Sequence, residues 1–314
     1  MLHTRVCELL GIEHPIIQAG MAGSSTSAEL VAAVSNAGGL GILGCLGRTA
    51  DEAVVDIRRI RMLTNRPFGV NFVLHVRDED TFAACLAERV PIFSFFRGDP
   101  GEVVPRAHAV GALTIHQITT TAEAAHACEA GVDLIIAQGH EAGGHNGPIP
   151  LNLLLPEVLK ITGDRPVIAA GGLVDGHDLA DMIKLGAAGI LMGTRFLATD
   201  EAPISDAYKH AILAANGPDA TIASGIFDLL WGTEWPGVTV RALQNSFTQR
   251  WVGHEDTLLE QRESALARFE RANQEDNIAE RGLLAGMGSS RISDIRPAGD
   301  IILEIVAEAE RLLG

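Results

Sequence analysis

The sequence predicts an α/β protein built on a closed parallel barrel, with a smaller, mainly helical region inserted late in the chain. Three observations predict it. Short apolar runs of β type recur between Pro15 and Met192. A polar or glycine-rich turn follows each run, and between the runs lie segments whose apolar residues fall three and four positions apart. Strand alternating with helix implies a parallel sheet, and eight such units in this length favour closure into a (β/α)8 TIM barrel over an open doubly wound sheet.

Taken in order, the expected strands are residues 15–19, 40–44, 68–73, 91–95, 112–116, 133–137, 166–169 and 189–192. Each is continuously apolar rather than alternating, as a strand covered on both faces must be. The connecting segments 28–37, 50–63, 120–130 and 176–185 are alanine-enriched, with Ser, Thr or Asp near several starts, and are expected to be crossover helices. After Pro203 the rhythm changes. Trp231, Trp235 and Trp251 appear for the first time, and a charged stretch of helical periodicity covers residues 255–281. This charged run reads as a solvated helix face. The segment 301–313 regains an amphipathic pattern and is expected to return to the barrel. The division expected is a barrel of residues 1–205 plus about 290–314, with a helical cap at about 206–289.

Composition narrows the partners. The 314-residue chain carries a formal net charge of -16, which argues against a nucleic-acid groove or an anionic membrane surface, since both need basic patches. A small-molecule ligand is favoured. Cys7, Cys45, Cys85 and Cys128 stand singly, with no Cys-x-x-Cys pair and no zinc spacing, so a reducing, cytoplasmic setting fits best. The first residues lack a long apolar core and no run reaches about 18 apolar residues, so neither an export signal nor a spanning helix is expected.

The loop Gln138-Gly139-His140-Glu141-Ala142-Gly143-Gly144-His145-Asn146-Gly147 follows the sixth strand and is too glycine-rich to be helix. It reads as a shaped loop presenting His145, because glycine permits close approach to a ligand and positive φ. Histidine has an ordinary pKa near neutrality and suits acid–base work. The competing role for His145 is to tie down its own loop. His140, Glu141 and His145 together match no compact zinc motif, so no metal is expected.

Ligands of such barrels sit at the carboxyl ends of the strands. The seventh and eighth strands end in Ala169-Ala170-Gly171-Gly172 and Met192-Gly193-Thr194-Arg195, where exposed N–H groups and a helix start can hold a phosphate. Tight helix–strand packing is the alternative use of these glycines. The first strand ends in Gln18-Ala19-Gly20-Met21-Ala22-Gly23, and Asn71, Gln117 and Gln138 add neutral amides at the same rim. An amide offers both donor and acceptor, which suits the polar edge of a heterocycle such as a flavin pyrimidine, although ordinary loop capping would also employ it. No Gly-x-Ser-x-Gly elbow and no Gly-x-x-x-x-Gly-Lys-Ser/Thr loop is present.

Together, His14-Pro15-Ile16-Ile17-Gln18-Ala19-Gly20-Met21, Gly38-Gly39-Leu40-Gly41, the loop 138–147, and residues 169–172 with 192–196 resemble the nitronate monooxygenase (formerly 2-nitropropane dioxygenase) family of FMN-dependent barrels. Flavin-dependent enoyl-acyl-carrier-protein reductases and NAD(P)H:quinone reductases look similar over the same stretch. The resemblance implies that Gly20, Met21, Asn71, Gln117 and Gln138 surround the isoalloxazine and ribityl chain, with Gly143 and Gly144 in the adjoining loop. It implies that Gly171, Gly172, Gly193 and Thr194 hold the FMN phosphate and that His145 is the catalytic residue. The activity implied is oxidation of alkyl nitronates by O2 to a carbonyl compound and nitrite. The rivals are an NAD(P)H-dependent flavin reductase acting on an enoyl thioester or a quinone, and a flavin-binding module without turnover. Expected partners are a small-molecule substrate and O2, with a homodimer left open. Two departures are visible. Tyr208 is the single tyrosine, so Phe93, Phe95, Phe96, Trp231 and Trp235 are expected to make a less polar pocket, and Gly20 replaces the proline of many monooxygenase members.

Overall fold

The computed structural model describes residues 2–22 and 25–314; Gly23 of the first rim motif lies outside the described residues. Eight parallel strands form the barrel: β1 (Ile16–Gln18), β2 (Gly41–Gly44), β3 (Phe68–Val73), β4 (Ile92–Phe96), β5 (Leu113–Ile118), β6 (Leu134–Gln138), β8 (Val167–Ala170) and β9 (Gly189–Met192). The remaining strand in this stretch, β7 (Gly144–Asn146), leaves the barrel. Parallel pairing runs in chain order from β2 to β9, and β9 pairs β1 with Ile16 opposite Ile190. A bridge between Ile17 and Leu40 joins β1 to β2, so the barrel closes. All eight expected strands are present, with bounds moved by one or two residues.

Continuous apolar runs are needed because each strand packs on both faces. Inside the barrel lie Ile17, Ile42, Ile92, Ile115, Ile136, Ile168 and Leu191, all buried. The first helix, Arg5–Leu10, adds Val6, Cys7 and Leu10 to this interior, and Thr4 Oγ1 donates to Ala188 O at the amino end of β9. The amino end is thereby plugged, and the free mouth is at the carboxyl ends.

The outer face packs against helices that start where local chemistry dictates. Ser27 Oγ accepts from Leu30 N, Thr49 and Glu52 form a reciprocal capping box, and Asp175 does the same with Asp178. The last helix, Ala298–Leu313, lies between Gly176–Lys184 and Ala28–Asn36. There Gly176 N donates to Glu308 Oε2 and Ile302 reaches Gly39. This fills the place of the eighth crossover helix.

Between Thr199 and Arg296 the chain builds a second core from Phe227, Phe247, Phe269, Trp251 and Leu258. Helix Arg262–Gln274 buries Ala265, Phe269 and Ala272 and leaves its charged face in water. The sequence reading expects helices here, and the structure adds two strands, β10 (Thr221–Ser224) and β11 (Thr239–Leu243). They form an antiparallel three-stranded sheet in the order β10–β11–β7, with Val240 opposite His145. Among the described residues no helix is long and apolar enough to cross a membrane.

Candidate active site

A cavity of about 320 Å³ opens at the carboxyl ends of the strands, within the size range of small-molecule and cofactor sites. Gly20 and Met21 reach it from the turn after β1, Asn71 from β3, Gln117 from β5 and Gln138 from the end of β6. Gly143, Gly144 and His145 enter from the next loop, Gly171 and Gly172 from beyond β8, and Gly193 and Thr194 from beyond β9. His145 and the residues expected to hold the flavin therefore all line one cavity.

His145 is held from the inserted region. Its Nε2 lies 2.8 Å from Oδ1 of Asp228, a buried residue on helix Ile226–Trp231, and Thr233 Oγ1 donates to the same Oδ1 at 3.3 Å. An ionised carboxylate only accepts, so Nε2 carries the hydrogen and Nδ1 is the ring atom left to take or give a proton. The Trp235 ring stacks on the imidazole with centroids 4.0 Å apart and planes at 18°. Trp235 also lies 6.5 Å from the Phe96 ring.

Backbone contacts set the position of His145 along the loop. Gln138 Nε2 donates to His145 O at 3.2 Å, and the fully buried Asn146 donates to Ala142 O at 2.8 Å. His140 has a different task. Its Nδ1 lies 3.2 Å from Gly147 O, while Arg241 donates to its Nε2 at 2.8 Å and to its carbonyl at 3.1 Å. Both ring nitrogens are thus engaged in bracing the loop. No group of three or more His, Cys, Asp or Glu that could hold a metal occurs among the described residues.

One end of the cavity is a glycine cradle. Gly171 and Gly172 have φ of 121° and 70°, conformations that side chains with a Cβ rarely adopt. The segment after the insertion closes over them. Gly286 N donates to Thr194 Oγ1 at 2.9 Å, and a Cβ on Gly288 would stand 2.5 Å from Gly172 O. A Cβ on Gly143 would likewise stand 2.6 Å from the Ala285 backbone. Gly286 and Gly288 line the cavity and are absent from the sequence reading, as are Asp228 and the stacking of Trp235 on His145. The spacing Gly282-x-x-x-Gly286-x-Gly288 is the signal that was available for the first two.

Beyond β1 and β3, Asn71 Nδ2 donates to Gly20 O at 3.2 Å, and a Cβ on Gly20 would collide with Asn71. Gln138 is buried and its Oε1 has no hydrogen-bond partner, leaving an acceptor suited to an N–H on a planar ring. Close backbone around Gly171, Gly172 and Gly193, with amides on the same rim, fits a flavin. The intervening wall is apolar, with Val73, Phe96, Leu197, Leu284 and Trp235. Tyr208 joins it, but its hydroxyl donates to Leu284 O and burial pushes the phenol well above its ordinary pKa. Phe93 and Phe95 do not reach the cavity. They meet Phe82 edge-on and tilted in the layer between barrel and helices, and Trp231 packs against Phe227.

Comparison with known proteins follows this geometry. The family model described as nitronate monooxygenase matches residues 3–88 and 75–308. A Mycobacterium tuberculosis protein named (3aS,4S,5R,7aS)-5-hydroxy-7a-methyl-1-oxo-octahydro-1H-indene-4-carboxyl-CoA dehydrogenase is 42% identical over 226 residues, 71% of this chain and 63% of that relative's length. The chain thus spans under two thirds of that relative. A probable nitronate monooxygenase of Staphylococcus saprophyticus is 33% identical, with 82% of this chain and 83% of the relative covered. Among solved structures, FabK from Thermotoga maritima superposes with a TM-score of 0.90 at 34% identity, covering 100% of this chain and 98% of that one.

Proposed function

The chain belongs to the nitronate monooxygenase family, and from that premise we propose that it is an FMN-dependent oxidoreductase that oxidises alkyl nitronates with O2 to a carbonyl compound and nitrite. The observation that carries this reading is the His145–Asp228 pair set in the wall of a glycine-cradled cavity. Backbone N–H groups around Gly171, Gly172 and Gly193, with Thr194 beside them, would hold the phosphate. Asn71, Gln117 and the free Oε1 of Gln138 would meet the polar ring edge. Bound there, FMN would supply the electron acceptor that the side chains of this cavity lack.

The protein's own part is proton placement and shielding. Protonated His145 donates from Nδ1 to a nitronate oxygen, whereas the neutral ring takes the α-proton at Nδ1 when a neutral nitroalkane enters. Asp228 holds the imidazole in the tautomer that this requires, as a buried carboxylate does in other His–Asp pairs. Trp235 and Phe96 keep water from the reacting carbon.

A second reading is favoured by the committed Tyr208 hydroxyl and by the likenesses to a carboxyl-CoA dehydrogenase and to FabK. In it, the same base serves a thioester or quinone substrate and NAD(P)H is the electron donor. Anaerobic absorbance separates the two. Ethyl nitronate alone should bleach the flavin, and air should restore it with release of nitrite. Bleaching by NADH or NADPH and not by nitronate would overturn the first reading in favour of the second.

A further inference from the structure

Charge is confined to one point of the cavity. Among the described residues lining it there is no Lys, Arg, Asp or Glu, and His145 is the one side chain there that can carry a positive charge. Guanidinium groups beside the cavity are engaged, and Arg291 donates to Gly172 O at 2.7 Å while pairing with Asp175 and Asp178. Arg97 pairs with Glu123 at 2.8 Å and donates to Pro236 O at 2.6 Å. Arg241 is spent on His140 and on Thr221 Oγ1 at 3.1 Å. Of the two N–H groups of a protonated His145, one belongs to Asp228, so a single charged donor remains for a ligand.

Granting the nitronate reading, we infer that the substrate is a monoanion with an uncharged, apolar tail, and that Trp235 is part of the uncharged wall that this tail meets. The nitronate group takes the one free N–H of His145. The tail then lies against Trp235, Phe96, Val73 and Leu284, where burial of CH2 groups is favourable. A carboxylate two bonds from the reacting carbon would enter the same wall with no cation to meet it. Its desolvation would go uncompensated, a cost that exceeds the gain from any neutral contact there.

The test uses the flavin-loaded protein and pairs ligands of similar length. Anaerobic stopped-flow should show reduction by butyl nitronate exceeding that by propionate 3-nitronate by at least about tenfold in second-order rate constant, a factor that corresponds to about 1.4 kcal/mol. Equal rates, or a faster carboxylate, would overturn the inference while leaving the nitronate reading intact. Flavin difference spectra with 1-nitrobutane and 3-nitropropionate measure the same preference without turnover. If neither nitronate reduces the flavin, the reading of the reaction fails, and the order of these two dissociation constants still decides the charge rule. Trp235→Arg should narrow the preference several-fold, whereas Trp235→Leu should keep it; indistinguishable variants would remove Trp235 from that wall.

Discussion

His145 and Asp228 lie 83 residues apart in the chain and meet through a 2.8 Å hydrogen bond at the wall of the barrel mouth. One comes from the loop after β6 and the other from the inserted helix Ile226–Trp231, so neither domain element completes the pair alone. His145→Asn is expected to retain flavin and to lower kcat/KM by about 100-fold or more, the usual scale for losing a general acid–base group. An undiminished rate would remove His145 from catalysis.

Asp228 is a positioning residue, and its removal should be read differently. Asp228→Asn is expected to lower kcat at least about tenfold with KM little changed, because the imidazole loses its preferred tautomer while the substrate contacts remain. Asp228→Glu should recover part of the loss. A rise in KM alone would indicate that Asp228 shapes the pocket and does nothing for the proton.

The loop bearing Trp235 is held to the barrel by a hydrogen bond as well as by the stack on His145. Gly232 and Gly237 have φ of 70° and 77°, and Arg97 donates to Pro236 O between them. Arg97→Ala should free the loop while the barrel stays folded. Cleavage after the exposed Glu234 by a glutamate-specific protease is expected to accelerate several-fold, with the melting temperature nearly unchanged, since local opening and global unfolding are separate events.

The glycine cradle has a steric requirement. Gly288→Ala would place a Cβ 2.5 Å from Gly172 O, and relieving such overpacking costs about 1–3 kcal/mol. The purified variant should carry less flavin than the parent by absorbance. Added FMN should raise its melting temperature less than that of parent protein stripped of flavin, because the shift follows affinity. Equal shifts would mean that this segment does not touch the cofactor.

Stability should fall on acidification through a buried histidine that does not line the cavity. Burial, followed by the nearby His126, pulls His116 down to about 4, with Asp99 acting in the opposite direction. A histidine with a depressed folded-state pKa binds fewer protons in the native state than in the unfolded one. Its neutral form therefore costs nothing above the ordinary value near 6.5, and stability declines as pH drops from there to about 4. The loss attributable to this residue is about 3 kcal/mol at most. Urea midpoints of His116→Gln and parent should converge as pH falls across that window, and parallel curves would contradict the assignment.

The barrel was legible in the chain because its strands are buried on both faces, and continuous apolar runs are a local property. The loop 138–147 and the glycine pairs after β8 and β9 were legible for a similar reason, since backbone that approaches a ligand closely excludes side chains over a few consecutive positions. Asp228, Gly286, Gly288 and the partnership of Trp235 with His145 had no such local mark. Each acts across a contact between segments distant in sequence, and an aspartate on a short helix looks the same whether it faces water or an imidazole. The same limit explains the phenylalanines. Phe93 and Phe95 share one face of β4 and enter the helix layer, while Phe96, at the strand's end, reaches the mouth. Sequence alone settled the scaffold and the glycine turns at the strand ends, because those depend on burial and backbone shape. Tertiary packing decided which proton-bearing group works with which carboxylate, because that depends on where the insertion folds back over the barrel.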